Sequence, residues 1–316
     1  MNRFVALLSI ITVITTAWSA AWFVTANFIE RGIAAQADNS PRVLCEETNT
    51  TGFPFRFDVT CTAFSLYSND ITITLPELKL TALVYRPTHL LGFAQSPAEI
   101  TDAFSGSQNR IDWSALTASA RTQWFKPVRF SVTGQNISLT DNLIGDTLLG
   151  SAAKLEAHLL DAKGGPAEGR MHADFLLSLF EAKIPAIQTE NIEGKVQALI
   201  KELPDDIRLW ARPDMLNIWQ RAGGSAQISQ FQISAPNVSV DITGVMSVNQ
   251  NGLPNGSLAL ESQGLAERMT DVLPPPYDSL LLGTQQADGS HSQSLSISSG
   301  VVSVGLIPLA RLAPLF

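Results

Sequence analysis

The sequence predicts a mainly β protein with a minor helical part: a long, curved antiparallel sheet with packed short helices, preceded by one transmembrane helix. Residues 4–29 contain no charged side chain, which is typical of a membrane span. From residue 43 onward, short segments alternate apolar with polar side chains, and Gly, Pro and Asn separate them, as in strands joined by turns. Only 16% of the residues are charged and 45% are apolar, which suits many strands with few long solvent-facing helices.

The uncharged run at residues 4–29 predicts a retained membrane anchor. As a helix it would be roughly 39 Å long, enough to cross a ~30 Å hydrocarbon core with some tilt. A cleaved signal peptide is an alternative, because Ser19-Ala20-Ala21 resembles a cleavage site, and a buried soluble helix is another. Trp22, Phe23 and Val24 continue the apolar run beyond that site, and aromatic residues at its far end favour a span with an interfacial belt.

The anchor predicts the location and the domain organisation of the chain. Arg3 precedes the apolar run, which favours an amino terminus inside the cell and the bulk of the chain outside. For a bacterium this means a single-pass inner-membrane protein with its bulk in the periplasm. We expect a cytoplasmic end at 1–3, an anchor at 4–29, a linker at 30–42 and a periplasmic β-rich domain at 43–316, in which two sub-blocks, 43–190 and 191–316, remain an open alternative.

The charge balance narrows the set of partners. The formal net charge is −8, whereas proteins that bind nucleic acid present basic patches, so no nucleic-acid partner is expected. Peripheral docking on anionic lipid headgroups also requires clusters of Lys and Arg. The expected partners are the inner membrane, through residues 4–29, and a lipid or another envelope protein. No cofactor is expected.

The two cysteines, Cys45 and Cys61, both follow the anchor. A cysteine pair on the oxidising side of a membrane predicts a structural disulfide. Closing a loop of this size contributes about 3 kcal/mol in the chain-entropy model. The spacing is not the C-x-x-C of a redox pair, and no further Cys or His stands nearby to complete a zinc site.

Period-two alternation predicts strands in most of the chain, and helical spacing predicts a few helices between them. The predicted strands lie near 55–61, 71–75, 78–86, 128–132, 137–139, 155–159, 228–233, 238–248, 258–260 and 295–306. In the strand from Ile228, Phe231 is one step out of phase, which suggests a bulge. The predicted helices lie near 97–104, 114–123, the end of 169–180, 191–203, 213–222 and 263–272.

A search for reactive groups finds no convincing catalytic or metal site. The chain lacks a G-x-S-x-G elbow, a Walker loop and an H-E-x-x-H motif. Ser151 and Lys154 match an S-x-x-K pattern, but its usual companions, S-D-N and K-T-G, are absent. His158 and His172 flank one Gly turn and lack nearby carboxylate or thiolate ligands, so they form a poor metal site. The sequence therefore predicts a protein that is not an enzyme and holds no metal.

One group of apolar side chains is a candidate ligand-binding face. Alternation places it on one side of two neighbouring strands. Its members are Phe231, Ile233, Val238, Val240 and Ile242. The predicted helices are few and short compared with the strands they would have to cover, so we hypothesise that part of this face is open and accepts an acyl chain. A packed core is the alternative for each residue.

Four stretches together carry a family resemblance. They are T-G-F-P-F-R-F-D-V between the cysteines, V-Y-R-P-T-H-L from Val84, the segment from Trp219 through Gly223-Gly224 to N-G-L-P-N-G-S-L, and the tail G-V-V-S-V-G-L-I-P-L-A-R-L-A-P-L. The chain resembles the domain-of-unknown-function 2125 family, anchored periplasmic proteins of alphaproteobacteria, over nearly its whole length. The pattern at 224–262 is also similar in architecture to AsmA-like envelope proteins, which expose a curved sheet with an apolar inner face and are implicated in lipid movement.

These patterns and resemblances lead to one expected function and two alternatives. The expected function is that of a non-enzymatic, membrane-anchored protein of the cell envelope, which binds an apolar or lipid ligand or supports envelope assembly. The first alternative is a periplasmic protein-interaction scaffold without a ligand. The second alternative is an uncharacterised hydrolase.

Overall fold

A computed structural model describes residues 2–36, 41–162, 164–166, 169–210, 212–266, 280 and 282–316. Within these residues the chain is mainly strand, arranged in one large antiparallel sheet that follows a long apolar helix. The predicted fold class is therefore confirmed.

The elements are named in chain order. The helices are α1 (Asn2–Ala35) and α2 (Met215–Arg221). The strands are β1 (Arg42–Leu44), β2 (Glu47–Thr51), β3 (Arg56–Ser68), β4 (Ile71–Leu83), β5 (Arg86–Ala94), β6 (Ala98–Asp102), β7 (Gln108–Asp112), β8 (Ala115–Gln123), β9 (Lys126–Asp141), β10 (Thr147–Asp161), β11 (Arg170–Ile184), β12 (Thr189–Pro204), β13 (Ser225–Ala235), β14 (Val238–Val248), β15 (Pro254–Gln263), β16 (Thr284–Gln285), β17 (His291–Ser298), β18 (Val301–Val304) and β19 (Ile307–Arg311).

The first of two compact units comprises Met1–Ala120 and Gly134–Leu149. Its long hairpin of β3 and β4 pairs from Arg56↔Leu83 to Ser68↔Ile71. Strands β1 and β2 pair with β3, β5 and β6 pair with β4, and β7 pairs with β6. The buried core at one end of this hairpin is formed by Trp22 and Ala26 of α1 together with Phe57. The apolar helix is therefore part of the fold of this unit.

The second unit comprises Arg121–Thr133 and Gly150–Phe316. From Gly150 onward its strands β10 to β15 pair antiparallel in chain order, and β15 continues to β17, β18 and β19. The register shifts between Ile228 and Phe231, which confirms the bulge predicted from the sequence. Helix α2 confirms the helix predicted at 213–222.

Four other helix predictions are wrong, because strands occupy those segments. Strand β6 replaces the helix near 97–104, and β8 replaces the Ala-rich helix at 114–123. Strands β11 and β12 replace the helices predicted at the end of 169–180 and at 191–203. In these two strands apolar side chains occur on both faces, and such doublets imitate helical spacing. The helix predicted at 263–272 lies mostly outside the described residues.

Candidate functional site

The five apolar residues predicted to share a face lie on β13 and β14 and are brought together by their register. Phe231 pairs with Ile242, Ile233 with Val240, and Ala235 with Val238. Directly paired residues of antiparallel strands project to the same side, with Cβ atoms about 4.5–5.5 Å apart. The hairpin therefore places all five side chains on one surface of the sheet of the second unit.

The pairing extends this surface across six strands, a width the sequence did not reveal. Two neighbouring rows of paired residues, running from β10 to β15, lie on the same side. We call these two rows together the apolar face. Row A is Ala157, Leu177, Val196, Phe231, Ile242 and Leu260; row B is Leu155, Leu179, Gly194, Ile233, Val240 and Ser262. At ~4.8 Å between strands, each row spans roughly 24 Å.

Directly behind rows A and B, the opposite side of the same strands is polar. The residues between rows A and B form a paired row of their own, which consists of Glu156, Ser178, Lys195, Gln232, Asp241 and Glu261. The Lys154 ammonium lies 2.7 Å from a Glu156 carboxylate oxygen, and this hydrogen bond lowers the pKa of the Glu156 carboxyl. The sheet is therefore amphipathic, with one side suited to water and the other to an apolar partner.

One end of the apolar side is covered by the chain itself. Met215 and Trp219 of α2 pack with Trp210 against a buried cluster of Met171, Ala173 and Leu203. The Trp219 indole N–H donates to the Lys201 carbonyl oxygen at 2.7 Å, which fixes the helix on β12. A second buried cluster lies beyond row B, where Ala152, Ala182 and Ile192 meet.

Between these two clusters the apolar face is only partly covered. Its apolar side chains are half-buried, except Ile233, which is 41% exposed, and Leu179 packs against the second cluster. Row B ends at Ser262, which is buried and whose hydroxyl has no hydrogen-bond partner among the described residues. His291 pairs with Ser262 on the next strand. The face therefore offers an apolar strip with a polar end.

The groups considered for catalysis or metal binding are not brought together. Ser151 and Lys154 lie three residues apart on one regular strand, so their side chains point to opposite faces. His158 pairs with Leu176, four residues along β11 from His172, so the two imidazoles are separated by about 14 Å of strand. Within the described residues no three His, Cys, Asp or Glu side chains are grouped so as to hold a metal ion.

The predicted disulfide is present between Cys45 and Cys61. It ties the segment between β1 and β2 to the middle of β3, where the Cys61 side chain is buried. Both cysteines of the chain are thereby engaged.

Contacts of α1 with the first unit are functional candidates that the sequence reasoning missed. The Trp18 indole N–H donates to the Pro54 carbonyl oxygen, and the Trp22 indole N–H donates to that of Arg56, both at 3.1 Å. The helix is long and apolar enough to cross a membrane, a property that signal sequences share. Tryptophans in such a run suggested only an interfacial belt, so nothing in the pattern indicated that Trp22 belongs to a buried core.

Comparison with known proteins gives one relationship. Neither the curated proteins nor the solved structures contain a match to the chain. Residues 18–313 match the family described as "Uncharacterized protein conserved in bacteria (DUF2125)". The match begins at Trp18, whose indole donates to the loop before β3, and it includes both cysteines and the whole apolar face. The chain belongs to the DUF2125 family of uncharacterised proteins conserved in bacteria.

Proposed function

We propose that this protein is a non-enzymatic, membrane-anchored component of the cell envelope that holds an acyl chain of a lipid on its apolar face. In this proposal α1 remains in the inner membrane and both units lie in the periplasm. The architectural similarity to AsmA-like envelope proteins agrees with such a role, although that similarity alone is an analogy.

The main observation behind the proposal is that apolar and polar rows of paired residues alternate between the two sides of the sheet across six strands. Two rows are almost wholly apolar, the row between them on the other side is wholly polar, and no apolar side chain of the two rows is fully buried. Full burial of a Val, Leu, Ile or Phe side chain stabilises by about 1.5–3 kcal/mol, so a surface of this size favours an apolar occupant.

The shape of row B indicates how a lipid would lie. The row runs perpendicular to the strands, from Leu155 on β10 to Val240 on β14, and then meets Ser262 and His291. An acyl chain placed along the row would contact aliphatic side chains, and its ester group would lie at the end of the row that carries Ser262 and His291.

The test uses the full chain expressed in bacterial membranes that contain a phospholipid with a photoreactive acyl chain. Because α1 itself would crosslink to membrane lipid, the crosslinks are mapped by peptide mass spectrometry, and the readout is the yield in peptides of β10–β15. We expect the wild type to crosslink in these peptides and Val240→Asp to lose that crosslink, with the midpoint of thermal unfolding lowered only modestly because Val240 is half-buried. Thr243→Asp is the matched control, since it puts the same charge on the polar side of β14 and should crosslink like the wild type.

Three outcomes would count against the proposal. A Val240→Asp chain that folds and crosslinks as well as the wild type would contradict it, and so would a wild type that never crosslinks. Severe unfolding of Val240→Asp would show that the position is packed core, because an unpaired buried carboxylate is strongly destabilising.

A further inference from the structure

We propose that the loop 52–55, together with Tyr85, is a seat in the membrane interface that holds the first unit against the bilayer that α1 crosses. We call these residues the aromatic seat. Its occupant is the headgroup and upper acyl region of the lipid. The inference rests on the proposed anchoring by α1 and is independent of the apolar face.

The helix is fixed to the seat by several contacts. In addition to the hydrogen bonds from Trp18 and Trp22, the Phe23 ring stacks on Phe53 with centroids 5.7 Å apart, and Trp22 stacks on Phe57 at 5.2 Å. Trp22 is 5% exposed. Wherever this part of α1 lies relative to the membrane, the loop must lie beside it.

The length of the apolar run sets a minimum depth for the loop. From Phe4, a helix needs about 20 residues to cross a ~30 Å hydrocarbon core, and the uncharged run continues to Ile29, so the far boundary lies at Phe23 or beyond. Trp18 is five residues before Phe23 and would lie at least roughly 7–8 Å below that boundary if the helix is upright. Pro54, which accepts the Trp18 hydrogen bond, cannot then be in bulk water. The loop must enter the interface.

The side chains of the seat suit this location. Phe53, Phe55 and Tyr85 are 46%, 65% and 69% exposed. Tyr85 is near the loop because the Val84 backbone N–H donates to the Phe55 carbonyl oxygen at 2.9 Å. Aromatic side chains of this kind collect at membrane–water boundaries, and a tyrosine hydroxyl there stays hydrated while its ring is buried.

Most backbone carbonyls of the loop already accept hydrogen bonds from the protein, so they do not need water. The Arg56 N–H donates to the Gly52 carbonyl oxygen at 3.1 Å, and the carbonyls of Pro54, Phe55 and Arg56 accept hydrogen bonds from Trp18, Val84 and Trp22. Pro54 has no N–H to satisfy. Unpaired backbone groups are costly in lipid, so pairing of the Gly52, Pro54 and Phe55 carbonyls lowers the cost of placing this loop in the interface.

The seat does not depend on a basic patch. The net charge of the chain is −8, which does not favour attraction to anionic headgroups. Close to the loop, Arg56 is paired with Asp58 at 2.7 Å and Arg86 follows Tyr85. Contact with the bilayer therefore arises from aromatic burial beside a helix that already spans it.

The experiment measures the depth of single positions in the full chain, reconstituted in vesicles of phosphatidylethanolamine and phosphatidylglycerol. Phe55→Cys and Tyr85→Cys each carry a nitroxide label, and the native cysteines remain bridged. Phe104→Cys is the matched control, because it also replaces an exposed aromatic residue. Phe104 lies at the other end of the β3–β4 hairpin, where the neighbouring Ala103 N–H donates to the Asp70 carbonyl oxygen. The two ends of this hairpin are about 40 Å apart along the strands. The collision rate of the nitroxide with dissolved oxygen is high where the label lies in lipid, and its collision rate with a water-soluble nickel chelate is high where the label lies in water.

We expect labels at 55 and 85 to lose nickel accessibility and gain oxygen accessibility relative to the label at 104. Intact mass of the same samples reports whether α1 is retained. If α1 is retained and the labels at 55 and 85 are as accessible to nickel as the label at 104, the aromatic seat is contradicted and the anchoring by α1 is not. A mature chain that lacks the residues before Trp22 would overturn both.

Discussion

At the scale of the residue, the glycine at position 194 is the most informative point of the apolar face. Gly194 lies in row B between Leu179 and Ile233. A Cβ built at this position would meet the Leu179 Cβ at 3.4 Å, an ordinary contact, so a side chain can be accommodated. The missing side chain leaves a depression in the middle of the proposed acyl path.

Gly194→Leu should fill this depression and lower lipid crosslinking. A glycine within a strand is destabilising by about 0.5–1 kcal/mol relative to alanine, so the variant should be as stable as the wild type or slightly more stable. Crosslink yield and the midpoint of chemical unfolding are the measurements. Lys195→Leu places the same side chain one position along β12 on the polar side, and it should crosslink normally. If Gly194→Leu crosslinks as strongly as its control, the acyl chain does not lie along row B.

At the scale of the element, α1 is both long and apolar enough to cross a membrane and a packing element of the first unit. Two of the three buried side chains in its core cluster, Trp22 and Ala26, come from α1, whereas Val24 is largely exposed. The Glu30 carboxylate further accepts a hydrogen bond from the Thr50 N–H at 2.9 Å, so contacts continue along the helix beyond the apolar run.

Trp22→Ala should therefore destabilise the first unit by about 3–5 kcal/mol, the usual cost of truncating a buried large aromatic residue. Trp22→Phe keeps a ring beside Phe57 and loses the hydrogen bond to the Arg56 carbonyl, for which about 0.5–1.5 kcal/mol is expected. Chemical unfolding of the full chain in detergent measures both. Val24→Ala, on an exposed position of the same helix, should change little. A Trp22→Ala variant as stable as Val24→Ala would show that α1 is not part of the fold.

Strands were predictable where alternation is clean and adjacent strands form a hairpin. The five face residues on β13 and β14 and the bulge between Ile228 and Phe231 all follow from local spacing. The Ala-rich strand β8 was not predictable, because good helix formers are held in a strand by long-range pairing: Ala118 of β8 lies 3.5 Å from the position a Cβ on Gly92 would take. The full width of the apolar face depends on register between distant strands, which single-sequence patterns do not contain.

At the scale of the whole molecule, the fate of α1 decides where the protein works. Length and hydropathy suit both a signal sequence and an anchor. The packing favours the anchor, because cleavage after Ser19-Ala20-Ala21 would remove Trp18 and its hydrogen bond to Pro54, and would leave the buried Trp22 at a new chain end. The family match from Trp18 also includes residues that such cleavage would discard.

The last prediction is that α1 stays attached in the mature protein. Because Trp22 and Ala26 belong to the folded core and Trp18 binds the loop before β3, the structure needs the helix from Trp18 onward, and a retained helix keeps the chain in the membrane. Amino-terminal sequencing and intact mass of membrane-extracted protein should find residues before Trp18, and the protein should remain in the membrane pellet after alkaline washing. Val24→Ala should behave identically, which controls for handling of the helix. A mature start near Trp22, with the chain released from the pellet, would contradict the anchor and show that the apolar run is a cleaved signal peptide.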